Sequence, residues 1–253
     1  MKKIVVANWK MNPETMREAK KLALETKKLA GKLRSTTIIA CVPNVFLTEL
    51  ASGRPSTRLL WGAQDVSGKE GTGAFTGEVS AKLLQYAGAQ FAIIGHSERR
   101  ALGESDEVVN SKIKLALAAR LRVIICIGES ERDESGDYLR PLREQLKQAF
   151  RGLAKNDLKK VIVAYEPVWA VGREATRSDT PAEFLHHALF IRKTISDLFD
   201  AKTAMQVPVL YGGSVDSKNA EGFLKEGRAD GLLIGRASLK PEEFKKILYV
   251  AEH

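Results

Sequence analysis

Short apolar, β-branched runs alternate along this chain with longer stretches in which apolar residues recur every three to four positions. The first pattern predicts buried strands and the second predicts helices with one buried face. The strand-like runs fall at Lys3–Asn8, Thr37–Val42, Leu59–Ala63, Phe91–Ile94, Val123–Ile127, Val161–Ala164, Val207–Tyr211 and Gly231–Ile234. After the first run, Ala19, Leu22, Ala23, Thr26, Leu29, Ala30 and Leu33 keep helical spacing. Asn12-Pro13-Glu14 predicts where that helix starts, with a capping Asn and Pro at the first helical position. Thr180-Pro181-Ala182-Glu183 predicts another start, combining a capping box with an N-terminal Pro. Eight such units are the number that closes an α/β (β/α)8 barrel in a chain of about this length. No linker or low-complexity stretch interrupts the series, so residues 1–253 read as one domain. Asp65 to Val79 breaks the rhythm: it carries four glycines, has no period, and reads as a functional loop whose Phe75 is buried in a partner.

Composition narrows the class. With 44% hydrophobic residues, the 253-residue chain has enough apolar content for a sizeable core. The 40 basic residues against 31 acidic give a formal charge of +9, but basic and acidic residues alternate and no block of like charge occurs. That pattern is a solvated surface with a weak field for anions, not a nucleic-acid footprint. Cys41 and Cys126 lie in separate apolar runs and read as buried free thiols. The apolar run after Met1-Lys2-Lys3 is too short for a signal peptide, and no run is long enough to span a bilayer. The expected compartment is the cytoplasm.

The candidate chemistry sits after the strands. Val161 to Ala164 leads into Tyr165-Glu166-Pro167, where Pro167 ends the strand and leaves Glu166 at its carboxyl end. Val168 to Val171 is an apolar loop bounded by Pro167 and Gly172. A flap of this composition closing beside a carboxylate would desolvate it and make it a better general base. Alone, the segment is better read as a Trp packing on its own strand end. Asn8 and Lys10 follow the first strand, and Gly95-His96-Ser97-Glu98-Arg99 follows the fourth. Singly, Lys10 reads as a surface charge, His96 as a capping side chain, and Glu98 with Arg99 as a helix-start ion pair. Convergence of three strand ends on the catalytic face of a barrel is harder to explain that way. Gly212-Gly213-Ser214 and Gly235-Arg236 after the last two strands suit a phosphate seat made of backbone N–H groups.

Taken together, Asn8-Trp9-Lys10, Gly73 to Glu78, Gly95 to Arg100, Cys126 to Glu129, Tyr165 to Ala170 and Tyr211 to Val215 closely resemble the triosephosphate isomerase family, in order and over essentially the whole chain. The resemblance implies the single-domain TIM barrel and interconversion of dihydroxyacetone phosphate with glyceraldehyde 3-phosphate, a step of glycolysis and gluconeogenesis. It implies that Glu166 moves the proton between C1 and C2, that a neutral His96 and Asn8 donate to the enediolate oxygen, and that Lys10 supplies positive charge. This family is itself the standard case of that pairing. Gly172, Ser214, Gly235 and Arg236 would offer N–H groups to the phosphate, with no metal or organic cofactor. Asp65 to Val79 would interdigitate in a homodimer, bringing Thr76 near the partner's Asn8 and the partner's His96. Arg99 with Glu104 resembles the family's structural ion pair, and Cys126 and Glu129 resemble supports for base and loop.

Two places depart from the family pattern. After Gly172 the family usually has Thr-Gly and a short hinge of small residues, whereas this chain reads Arg173-Glu174-Ala175-Thr176-Arg177-Ser178-Asp179. Arg236 stands where the family usually has Gly; with positive φ it costs stability, and otherwise its side chain adds charge beside the phosphate. An aldolase on the same fold needs a Schiff-base lysine in a mid-barrel strand, and the mid-barrel runs contain none. A non-catalytic scaffold would have lost the base or the electrophile, yet Glu166, His96 and Lys10 are all present.

Overall fold

The computed structural model describes residues 2–53, 56–132, 136–170 and 179–253. Eight parallel strands, β1 (Ile4–Asn8), β2 (Thr37–Cys41), β3 (Leu59–Ala63), β4 (Phe91–Ile94), β5 (Arg122–Ile127), β6 (Val161–Tyr165), β7 (Val209–Tyr211) and β8 (Gly231–Ile234), pair in sequence order and form a closed barrel. Closure is made by β1 on β8, from Ile4 opposite Gly231 to Ala7 opposite Ile234. The strands match the β-branched runs to within two residues. The largest shift is at β7, which begins after Pro208, a residue with no ladder donor.

Alternation along the strands divides the core in two. Val6, Ile39, Phe91, Ile93, Ile124, Cys126, Ile162, Ala164, Leu210 and Leu233 fill the barrel, while Val5, Ala7, Ile38, Ile94, Val123, Val163 and Tyr165 pack outward against the helices. Each buried aliphatic side chain of this size contributes about 1.5–3 kcal/mol. The same period of two decides what reaches the barrel mouth. Continuing Ile162 and Ala164 inward gives Glu166, continuing Val6 gives Asn8, and continuing Leu233 gives Gly235.

The first helix begins later than its sequence suggests. It spans Met16–Ala30, with Thr15 as its cap and Glu18 completing a capping box, so neither Asn12 nor Pro13 starts it. The reciprocal Thr15–Glu18 pair satisfies two helix-end amides, whereas the Asn12 side chain turns back and donates to the Trp9 carbonyl at 3.3 Å. The buried face is as the spacing predicts, with Ala19, Ala23, Thr26 and Ala30 inside. The box at Thr180 is also present and opens the helix Pro181–Leu198.

No strand or helix lies between β3 and the helix Ala81–Tyr86, so the segment from Asp65 to Val79 is irregular throughout. Its root is fixed by charge. The ammonium of Lys112, 4% exposed, lies 2.7 Å from Asp65 and also contacts Glu104, and Arg99 pairs with Glu104 at 2.6 Å and Asp65 at 3.2 Å. Burial pushes the Asp65 carboxyl up despite Lys112. Burial acts the same way on Glu104, but Lys112 and Arg99 more than offset it and hold Glu104 below its ordinary value.

The last helix, Pro241–Glu252, is tied to the start of β2 through Glu252, whose carboxylate accepts from the N–H groups of Arg34, Ser35 and Thr36 at 2.7–2.8 Å. Burial alone would raise this carboxyl, yet the three amides bring it from 4.5 to about 2. A carboxyl depressed by folding stabilises the fold above its unfolded value and loses that contribution as pH falls through the folded one. The stability difference between wild type and Glu252→Gln is therefore expected to be constant above pH 4.5 and to shrink toward pH 2, as measured by urea unfolding across that range.

Candidate active site

At the carboxyl end of the barrel a cavity of about 700 Å³ is lined by Asn8 and Lys10 after β1, His96 and Glu98 after β4, and Glu166 after β6. Its opposite wall is made by Gly212, Gly213 and Ser214 after β7 and by Gly235 and Arg236 after β8. Every described residue that the sequence nominates for catalysis or phosphate contact therefore opens onto one space. Gly172 lies outside the described residues, as do the atypical hinge residues 173–178.

Glu166 is 2% exposed. One carboxylate oxygen, Oε2, accepts from the Ser97 N–H at 3.0 Å, and Oε1 lies 3.3 Å from His96 Nε2. The backbone beneath it is set by two glycines. A Cβ on Gly128 would stand 1.8 Å from the Glu166 carbonyl oxygen, and one on Gly212 would stand 2.9 Å from its Cγ. Gln145 fixes the first of these by accepting from the Gly128 N–H and donating to its carbonyl, both at 2.9 Å. Cys126, next inward on β5, is fully buried, and burial followed by the nearby Glu166 charge raises its thiol well above the ordinary value. It is a protonated neighbour of the carboxylate, not a nucleophile.

His96 caps the short helix Ser97–Ala101, and its Nδ1 accepts from the Glu98 N–H at 3.1 Å. An imidazole accepting at Nδ1 carries its proton on Nε2, the nitrogen that faces Glu166. The capping role read from the sequence is thus filled by one nitrogen of the ring, while the other faces Glu166. Lys10 holds φ at 54°, in the left-handed region that non-glycine residues rarely adopt. Its carbonyl is held by Gln64 Nε2 at 2.8 Å, and its ammonium reaches Glu98 at 2.5 Å. Glu98 pairs with Lys10, which sets aside the helix-start pair that Glu98 and Arg99 suggest when read singly; Arg99 pairs with Glu104, as the family resemblance implies.

A family model described as triosephosphate isomerase matches residues 3–251. The chain belongs to the triosephosphate isomerase family. It is 42% identical over 253 residues to the triosephosphate isomerase of Citrifermentans bemidjiense, covering 99% of both chains. It is 39% identical over 247 residues to that of Geobacter metallireducens, covering 97% of both, and 42% identical over 256 residues to that of Treponema denticola, covering 100% of both. It is accordingly an enzyme, an intramolecular isomerase on the barrel fold expected of it. Arg236, where the family usually has Gly, does not have positive φ, so its side chain carries no left-handed strain.

Glu129, which the family resemblance casts as a support, gathers partners that the sequence reading missed. Glu129 Oε1 accepts from Tyr165 Oη at 2.8 Å, Trp169 Nε1 at 2.9 Å and Arg132 Nε at 3.1 Å. Arg132 also reaches Glu183 at 2.8 Å and Asp179 at 3.4 Å, and its guanidinium lies over the Trp169 ring at 4.3 Å. Desolvation lifts Asp179 to about 7, although Arg132 opposes it. This unit joins Tyr165, the first turn after Glu166 and the first turn of the helix Pro181–Leu198. Among the described residues no group of three or more His, Cys, Asp or Glu is placed to hold a metal ion. Nor is any described helix long and apolar enough to cross a membrane.

Proposed function

We propose that this enzyme interconverts dihydroxyacetone phosphate and D-glyceraldehyde 3-phosphate through an enediolate, with Glu166 as the base. The observation that carries this is the single cavity shared by Glu166, His96, Asn8 and Lys10, with Ser214, Gly235 and Arg236 on its opposite wall. A carbon acid beside a carbonyl yields to a carboxylate only if charge arriving on oxygen meets preorganised donors. His96 Nε2 and the Asn8 amide are those donors, and Lys10 sits between them and the phosphate end. A Cβ on Gly235 would stand 3.3 Å from Lys10 Cε, which places that peptide beside the lysine chain. Gly172 would complete the seat when its loop closes, excluding water and protecting the enediolate from loss of phosphate. The Glu129–Arg132 unit anchors both described ends of that loop.

We further infer a homodimer through residues 65–79, with Thr76 reaching the partner's site. Phe75 on that segment and Leu83 and Tyr86 on the helix after it remain 39%, 57% and 89% exposed in the isolated chain, as expected for side chains that a partner covers. Two buried free thiols fit a reducing cytoplasm and a place in glycolysis and gluconeogenesis. A coupled assay run from each triose phosphate is expected to give turnover in both directions. Absence of turnover in a folded protein would overturn the reading, and sedimentation showing only monomer would overturn the dimer.

A further inference from the structure

We propose that Arg236 is a specificity-determining residue whose guanidinium, backed by Lys240, adds side-chain charge to the phosphate end of the cavity. The proposal rests on the triose phosphate reading and goes beyond it, since a seat built from backbone N–H groups holds its anion without any formal charge of its own.

Both residues line the cavity that Glu166 and Lys10 share. Both residues are exposed, and neither cationic group makes a hydrogen bond or ion pair within the described residues. The carboxylates on the same wall are already engaged. Asp216 Oδ1 accepts from the Lys218 and Asn219 N–H groups at 2.8 and 3.1 Å, and Glu243 Oε1 accepts from the Ser217 N–H at 2.7 Å. Neither cation has a carboxylate at ion-pair distance among the described residues, although Lys240 acts at longer range on Glu243. At the reacting end, by contrast, the Lys10 ammonium is paired with Glu98. The cations that line the cavity without an ion pair among the described residues therefore lie on the β8 side, where the Gly235–Arg236 peptide begins a turn without positive φ. A planar guanidinium presents paired donors that match a phosphate monoester, and such charge-assisted bonds are about twice as strong as neutral ones. Lys240, four residues on, contributes as a more distant charge.

The test pairs direct binding with specificity. Inorganic phosphate is titrated calorimetrically into wild type, Arg236→Gln, Arg236→Lys and Lys240→Gln at low and high salt. In parallel, kcat/KM is measured for glyceraldehyde 3-phosphate and for unphosphorylated glyceraldehyde. Arg236→Gln is expected to weaken phosphate binding about tenfold and to lower the phosphorylated-over-unphosphorylated ratio by about the same factor. Lys240→Gln should weaken binding about threefold, and Arg236→Lys should fall between wild type and Arg236→Gln. The salt dependence of binding should flatten in each neutralised variant. A purely structural role would lower both substrates together and leave their ratio intact. That result overturns the proposal, as does phosphate binding within about twofold of wild type in a folded Arg236→Gln protein. Wild-type protein without isomerase turnover would count against the triose phosphate reading instead, leaving the phosphate titration to decide on Arg236.

Discussion

Replacing Glu166 by Gln is expected to lower kcat by about 10³–10⁴, the scale of removing a positioned general base. The variant keeps the volume of the side chain but not its complementarity. Both groups facing the carboxylate are donors, the Ser97 N–H at 3.0 Å and His96 Nε2 at 3.3 Å, so an amide can satisfy one with its oxygen while its NH₂ opposes the other. Glu166→Asp separates charge from reach. It retains a carboxylate but draws it back by about 1 Å, a misplacement that costs about 10². Steady-state turnover in both directions, with exchange of the substrate carbon-bound hydrogen into solvent, measures both variants. Gln retaining a tenth of wild-type turnover would exclude Glu166 as the base, whatever Asp does.

Lys112→Ala is expected to destabilise the fold by about 3–5 kcal/mol, because it strips the central cation from a buried cluster and leaves carboxylates facing each other. Asp65 and Glu104 both contact the Lys112 ammonium, and Arg99, on the exposed side, can serve them only from one direction. The pH dependence follows from the sign of the change. Without Lys112 the folded state disfavours ionised Asp65 and Glu104, raising their folded values above the unfolded ones. The penalty is then full at neutral pH and declines as acid protonates them. Urea unfolding at pH 8 and pH 5 should show a larger deficit at pH 8. Adding Asp65→Asn should recover part of it, since the remaining acid then has Arg99 to itself. A deficit below about 1 kcal/mol at both pH values would mean that the cluster is solvated in solution.

Much of the barrel was legible because its determinants are local. β-branched runs mark the strands, and the period of two carries Asn8, Glu166 and Gly235 to the mouth without further information. His96 and Lys10 were legible as polar residues immediately after strands. What failed depends on partners far along the chain. Read singly, Glu98 suggested a pair with its neighbour Arg99, yet its partner Lys10 is 88 positions away. Arg132 sits in a stretch with no period, and its contacts with Tyr165, Asp179 and Glu183 span 33 to 51 positions. Gln145 looked like an ordinary polar position on a helix, although it fixes the Gly128 peptide behind the base. The misplaced helix start had a different cause: two competing local signals three residues apart, of which the one satisfying two amides prevailed.

The box that begins the helix at Pro181 is complete in itself. Thr180 Oγ1 accepts from the Glu183 N–H at 3.2 Å, and Glu183 Oε2 accepts from the Thr180 N–H at 3.0 Å. The other carboxylate oxygen of Glu183 accepts from Arg132, which follows β5, at 2.8 Å. One side chain thus ends two tasks at once: it closes the first turn of this helix and ties that turn to the loop leaving the neighbouring strand. The outer ring is thereby keyed to the barrel mouth at this point, and the phase of the helix is set by a carboxylate shared between the two.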